Sequence, residues 1–377
     1  MRVFLYELRK LFNWKVLLLI LFISFLFYKL FLSFYFENFP NGRPAKDEFM
    51  ITKEMINKYG HEMDEKEFQH FKNWYKQKKD EANAYLKSQQ DAEKLGITTY
   101  EQFRQLDLTN KQYADFHEKV VFVDQADVFW ELQAFENIIE QYESKGRDIE
   151  SYTDEDQQER VKQIMANNDV NSVFPYLVYE NYNELTRFWT VLIIISVVMV
   201  TCRVHITDRL NNAISLQYTT KTGRNLFSAK LLAALAATAL ITTVQIVIFW
   251  FFYLGNGTQA FFPLSINSFY NFYYFWFDFT FEGYFITTVI AIYIVAIVAA
   301  LFSVFFSRIA QNYITLIGSL VPIVVLLSYC TLKYLVGELF AILHPLMLTI
   351  GTFLVLIAIS TIFIIYRMKQ EKLVDLI

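Results

Sequence analysis

Cysteine, glycine and proline are scarce in this 377-residue chain, which has 2 Cys, 11 Gly and 6 Pro. So few punctuating residues exclude collagen, disorder and β-rich repeats. Both cysteines, Cys202 and Cys330, lie in apolar stretches, so no disulfide framework holds the polar part together. A Gly-x-x-x-x-Gly-Lys-Ser/Thr phosphate loop is also missing. The nearest string, from Gly223 to Lys230, lacks the second Gly and the Lys–Ser/Thr pair, so no Walker-type nucleotide cradle is expected. The dipeptides His61-Glu62 and His117-Glu118 invite zinc, but Glu65 and Val121 stand where the second His of such a site belongs. No metal or cofactor is expected on this chain.

What is present is apolar. The chain is 54% hydrophobic with 38 Phe, and its mean hydropathy of +0.26 is too high for an ordinary cytosolic surface. Six stretches approach the ~20 consecutive apolar residues that a membrane-spanning helix requires. They cover 16–36, 188–204, 226–254, 284–306, 313–332 and 346–366. The first follows Arg2, Arg9, Lys10 and Lys15, but it is too long for a signal peptide and no small-residue cleavage site follows it, so it reads as a retained helix. The runs hold no carboxylate or histidine, and their charged residues, Lys29, Arg203 and Lys230, each lie near a span end. Intramembrane acid–base catalysis and ion-driven pumping, which need buried carboxylates or histidines, are therefore disfavoured.

Lys and Arg in short loops set orientation, because positive charge is retained in the cytoplasm. The segments before span one, between spans two and three, between four and five, and after span six carry twelve of them; the opposite short loops carry only Lys333. Both termini are thus expected to be cytoplasmic, and the insert 37–185 outside. That insert holds 18 Lys plus Arg against 31 Asp plus Glu, a net of −13, leaving +9 for the remainder. An acidic outer domain with a basic inner rim suits anionic lipid headgroups and not nucleic acid. Its acidity serves solubility or attracts a cationic ligand.

The insert reads as helices. Val128, Leu132, Phe135, Ile139 and Tyr142 form one apolar stripe, and Phe68, Phe71 and Tyr75 start another. Thr98 with Glu101, and Thr109 with Gln112, have capping-box spacing. Pro175 suits the first turn of a helix running into span two. The loop 260–285 is dense in aromatics, among them Phe269, Tyr273 and Trp276. Amphipathic rings settle at the membrane–water boundary, so an outer aromatic collar is expected there, with a surface for lipid-like cargo as the alternative.

Between spans two and three, residues 206–219 place Ile206, Leu210, Ala213, Ile214 and Gln217 on one face, an amphipathic helix that turns at Thr222-Gly223 and re-enters the bilayer. Together with six spans and a basic amphipathic helix ahead of the first, containing Glu7, Arg9 and Lys10, this resembles the ABC-2 type transporter permease family. The family pattern between spans two and three is an acid, a helix, a small or polar turn, Gly-Arg and then a Lys. Here Asp208, Thr219 to Thr222, Gly223-Arg224 and Lys230 fill those places, with Asp for the usual Glu and Asn where a helix-opening Gly is common. The resemblance covers both ends and the membrane region, not the insert.

The resemblance implies an all-α integral membrane protein of the ABC-2, type V exporter-like kind. Its parts would be 1–36 as interface helix and first span, 37–185 as extracellular helical domain, and 186–377 as spans two to six. The chain would be the permease subunit of an exporter of hydrophobic or amphipathic compounds, such as antimicrobial peptides or lipid-like antibiotics, in a bacterial plasma membrane. It would dimerise with itself or with a second permease. A separate ATPase subunit would bind the ATP and Mg²⁺, so this chain would not itself be an enzyme. The coupling helix, with Asp208, Leu210, Ile214, Leu216, Tyr218, Gly223, Arg224 and Lys230, would meet that ATPase, and Glu7, Arg9 and Lys10 would form a second contact. The competing reading is a non-transporting sensor or immunity protein that captures a cationic peptide on its acidic outer domain. A lipid-acting enzyme would have only Asp278, Glu282 and His344 as outer candidates beyond the insert.

Overall fold

The computed structural model describes residues 2–145, 154–213 and 226–373, with side chains through Glu371. Among these the chain is helical, with isolated β-bridges and no strand. It divides into two compact units: residues 1–39, 180–257 and 282–377 form the first, and 40–179 with 258–281 the second.

The first unit opens with α1 (Arg2–Leu11) and continues in α2 (Trp14–Glu37), whose ladder passes through a π-helical turn at Tyr28–Leu32. Among the described residues, six helices are long and apolar enough to cross a membrane: α2, the stretch Tyr176–Leu210, Leu226–Asn256, Phe281–Ile309, Tyr313–Leu335 and Leu346–Glu371. The second is the centre of the packing, with 67% of its apolar window buried, whereas 6% of that of α2 is. Apolar side chains left open on α2 are what hydrocarbon tolerates, since lipid is as apolar as leucine.

Hydroxyls within the central helix bond back along their own ladder. Thr186, Thr190, Ser196 and Thr201 each donate to the carbonyl four residues earlier, at 2.6–2.8 Å. This satisfies them with no water present. Ile194, Val198, Val295, Ala299, Phe302, Leu316 and Leu327 close the core between this helix and two of its neighbours. At the far end from α1, Asn256 donates to Asn181 Oδ1 at 2.7 Å, and Asn183 Oδ1 accepts the Glu338 amide at 2.8 Å. Glu184 pairs there with Arg187 and accepts from the Tyr35 hydroxyl at 3.2 Å. Asn181, Asn183, Glu184 and Arg187 lie upstream of the expected start of span two, because the helix begins right after Pro175, twelve residues earlier than the apolar run.

In the second unit α3 (Ala45–Tyr59), α4 (Glu65–Ser88) and α8 (Asp127–Ser144) pack together. The short helices α5 (Gln90–Leu95), α6 (Tyr100–Arg104) and α7 (Lys111–Glu118) close one end. The expected stripe on α8 is rotated: Leu132, Phe135 and Tyr142 are buried, but Phe129 and Ile138 take the inner places assigned to Val128 and Ile139. Phe68 stacks on Tyr142 with 3.9 Å between centroids, and Phe71 meets Phe135 at 4.9 Å. The capping boxes also differ from expectation. Thr99 and Gln102 cap α6 in place of Thr98 and Glu101; Asn110 caps α7 while Thr109 bonds Asp107; and Asp64 with Glu67 forms a complete box on α4.

The aromatic segment 258–281 belongs to this second unit. The Phe269 amide donates to Val170 O at 2.7 Å, and the Tyr176 amide to Tyr270 O at 2.7 Å. Arg160, on α9 (Glu155–Ala166), donates to Phe275 O at 3.1 Å and pairs with Asp278. Phe261, Phe269 and Phe275 are thereby core residues, not a collar. Tyr273 is half-buried against Tyr176 and Tyr179, and Trp276 is half-buried. Composition hid this, because an amphipathic rim and an aromatic core use the same residues.

Candidate functional site

The stretch Tyr176–Leu210 is two helices, α10 (Tyr176–Thr201) and α11 (Arg203–Leu210), separated at Cys202. The break frees the first amides of α11, and Ser307 Oγ accepts two of them, from His205 at 3.0 Å and Ile206 at 3.2 Å. Ser307 lies on α13 (Phe281–Ile309), which α14 (Tyr313–Cys330) follows. Arg209 answers at the other end of the contact by donating to the carbonyls of Arg308 (2.9 Å), Ile309 (3.1 Å) and Ala310 (2.8 Å), where α13 runs out of internal donors.

The amphipathic helix expected over 206–219 stops at Leu210. Asn212 takes a φ of +52°, the Asn212 amide bonds Arg209 O at 3.0 Å, and the Ala213 amide bonds Asp208 O at 2.9 Å. These two bonds form a Schellman end, and asparagine is among the few residues that accept the left-handed conformation. Leu210 is exposed. Ile214, Leu216, Tyr218, Gly223 and Arg224 lie outside the described residues.

Asp208 sits in the last turn of α11, where the helix dipole disfavours an anion. Lys230 sits near the start of α12 (Leu226–Tyr253), where the dipole disfavours a cation. Each offsets the other: Lys230 pairs with Asp208 Oδ2 and also donates to Val204 O at 3.2 Å. Lys10 of α1 takes the other carboxylate oxygen, Oδ1, and reaches Glu7 at 3.2 Å. Glu7, Asp208 and Lys230 are buried, with Lys230 only 2% exposed, and α1 packs along α12. Among the described residues, two acids and two lysines thus offset one another, the arrangement that lets charges leave water. Arg9 points away and is exposed.

Beside it, Glu371 on α15 (Leu346–Leu373) receives Arg308 on both carboxylate oxygens, at 2.7 and 3.1 Å, and Arg367 at 2.8 Å. His205 is also buried here, its ring stacked on Phe227 with 5.1 Å between centroids. Sequence reasoning passed over both; the one signal for Glu371 was an acid set between Lys369 and Lys372 in the basic tail.

The structure therefore joins Glu7, Lys10, Asp208 and Lys230 from the expected set. Phe269, Tyr273 and Trp276 belong to the other unit. The cluster latches α1 to the corner between α11 and α12, with the ends of α13 and α15 tied in through Arg209, Arg308 and Glu371. No family model, curated protein or solved structure matches the chain.

Proposed function

We propose that this chain is the permease subunit of an ATP-driven exporter, with both termini in the cytoplasm of a bacterium and ATP and Mg²⁺ held by a separate ATPase subunit. One observation carries the reading: the Lys10–Asp208–Lys230 latch fastens the amphipathic helix α1 to the corner before α12. A partner that pushes on that corner moves α1 and α12 together, because separating them would strand buried charge. The resemblance to ABC-2 permeases names the partner, and dimerisation with itself or a second permease would complete the path. Cargo would be hydrophobic or amphipathic, matching the apolar helices.

Gentle detergent isolation of the chain from its own cells tests this. A P-loop ATPase in stoichiometric amount, with ATP hydrolysis reduced when Asp208→Asn and Arg224→Ala are introduced, is the expected result. Recovery of the chain without any ATPase after crosslinking would overturn it.

A further inference from the structure

Between α2, α10 and α12, within the first unit, lies a cleft of about 620 Å³, in the size range of sites that take a drug-sized molecule. Its walls are almost wholly apolar, with Ile20, Phe25, Leu192 and Ile241 typical. Ser24, Tyr28, Trp189 and Gln245 break the pattern, and the last two are the most deeply buried of the four. Trp189 is 6% exposed and Gln245 9% exposed. The indole Nε1 of Trp189 and the Oε1 of Gln245 are both buried without a hydrogen-bond partner. Trp189 is held by edge-on contacts with Phe36 and Phe249, at 6.2 and 5.5 Å between centroids, so its ring is not free to seek a partner elsewhere.

Buried polar atoms are almost always paired, and leaving one unpaired opposes folding. Here one residue with an unmet donor and one with an unmet acceptor line the same apolar cleft. An alkane would satisfy neither. A carboxylate only accepts and an ammonium only donates, and each would carry charge into apolar walls. A hydroxyl or a carboxamide does both without charge. We infer that the cleft is a binding site for an uncharged amphiphile, whose hydroxyl or amide group bonds Trp189 and Gln245 while its hydrocarbon chain lies against α2. The sparse burial of α2 leaves a lateral way in from the surrounding hydrocarbon. The inference goes beyond the transport reading and stands apart from it, since binding is measured without an ATPase.

The test uses the full chain purified in detergent and dodecanamide carrying a diazirine on its alkyl chain, with crosslinks mapped by mass spectrometry. Labelling is expected on α2, α10 and α12, and unlabelled dodecanamide should compete about tenfold better than dodecanoate or tridecane. Trp189→Phe and Gln245→Leu should each erase that preference, while a hydrocarbon diazirine still labels the same helices and shows the cleft intact. Equal competition by all three compounds, or an undiminished preference in both variants, would overturn the inference. Should a variant lose labelling by the hydrocarbon probe as well, the competition order in the unaltered chain decides alone. Lipid analysis of the purified chain separates the sources. A diacylglycerol-like lipid present in the unaltered chain and lost from Gln245→Leu identifies a membrane lipid; dodecanamide preference without such a lipid assigns the site to a cargo molecule.

Discussion

Asp208 and Lys230 each stand at the helix end that disfavours their charge, and each is held there by the other. An anion at the end of α11 and a cation near the start of α12 would be unfavourable singly. Paired and buried, they fix the corner between the two helices. Lys10 extends the pair to α1, so a third element shares the same carboxylate.

Asp208→Asn should destabilise the protein by about 3–5 kcal/mol, because it leaves Lys230 buried with its charge uncompensated. The double variant Asp208→Leu with Lys230→Met should recover most of that loss, since Lys10 retains Glu7. Thermal unfolding in detergent measures both; equal destabilisation by single and double variants would contradict the pairing.

Arg160 and Asp278 form an ion pair of unequal partners. Arg160 is buried and also holds Phe275 O, whereas the Asp278 side chain is 53% exposed. Arg160→Ala should lower stability by about 1.5–3 kcal/mol, and Asp278→Ala by less than about 1 kcal/mol. Limited proteolysis within 258–281 should follow the same order.

Gly337 has no room for a side chain: a Cβ there would meet Leu332 O at 2.5 Å and Arg187 Cδ at 3.4 Å. Gly337→Ala should therefore destabilise by about 1–3 kcal/mol. At Gly351, in α15, nothing lies within 4 Å. Gly351→Ala should leave the melting temperature unchanged or slightly raised, which makes it the control.

Burial, with nearby carboxylates second, pushes the hydroxyls of Tyr59, Tyr85 and Tyr142 up to about 12. The unfolded chain gives up these protons near pH ~10, before the folded one does. Their contribution to stability is therefore full below about pH 10 and lost as pH rises through about 12. Circular dichroism alongside tyrosinate absorbance should show helix loss in this window, with Tyr85→Phe making the loss shallower. Helix loss independent of tyrosine ionisation would refute the assignment.

Much of this was legible from residue order. The apolar runs marked six long helices, and Asp208 and Lys230 were singled out through the resemblance to the permease pattern. Periodicity placed α4 and α8 but missed the rotation of α8, since Phe129 and Val128 are adjacent and only packing chooses between them. The end of α11 turned on Asn212, whose left-handed geometry a helical pattern does not register. The latch itself was illegible because its members come from three segments, and the charge of Lys10 looked like any basic residue ahead of a span. Likewise, nothing in the spacing of Trp189 and Gln245 said that both would line one cleft without partners.

The second unit is assembled from two pieces of chain, 40–179 and 258–281, separated by the second and third long helices. During synthesis its core stays open until the ribosome has passed Phe281, because Phe261, Phe269 and Phe275 are what fill it. Two further long helices must emerge in the interval. Chain order thus puts three of the six long helices ahead of the segment that completes this unit and three after it. A fragment cut to 40–179 would leave Phe49 and Tyr142 without their aromatic partners Phe261 and Phe269, so the shortest faithful piece of that unit carries the later segment with it.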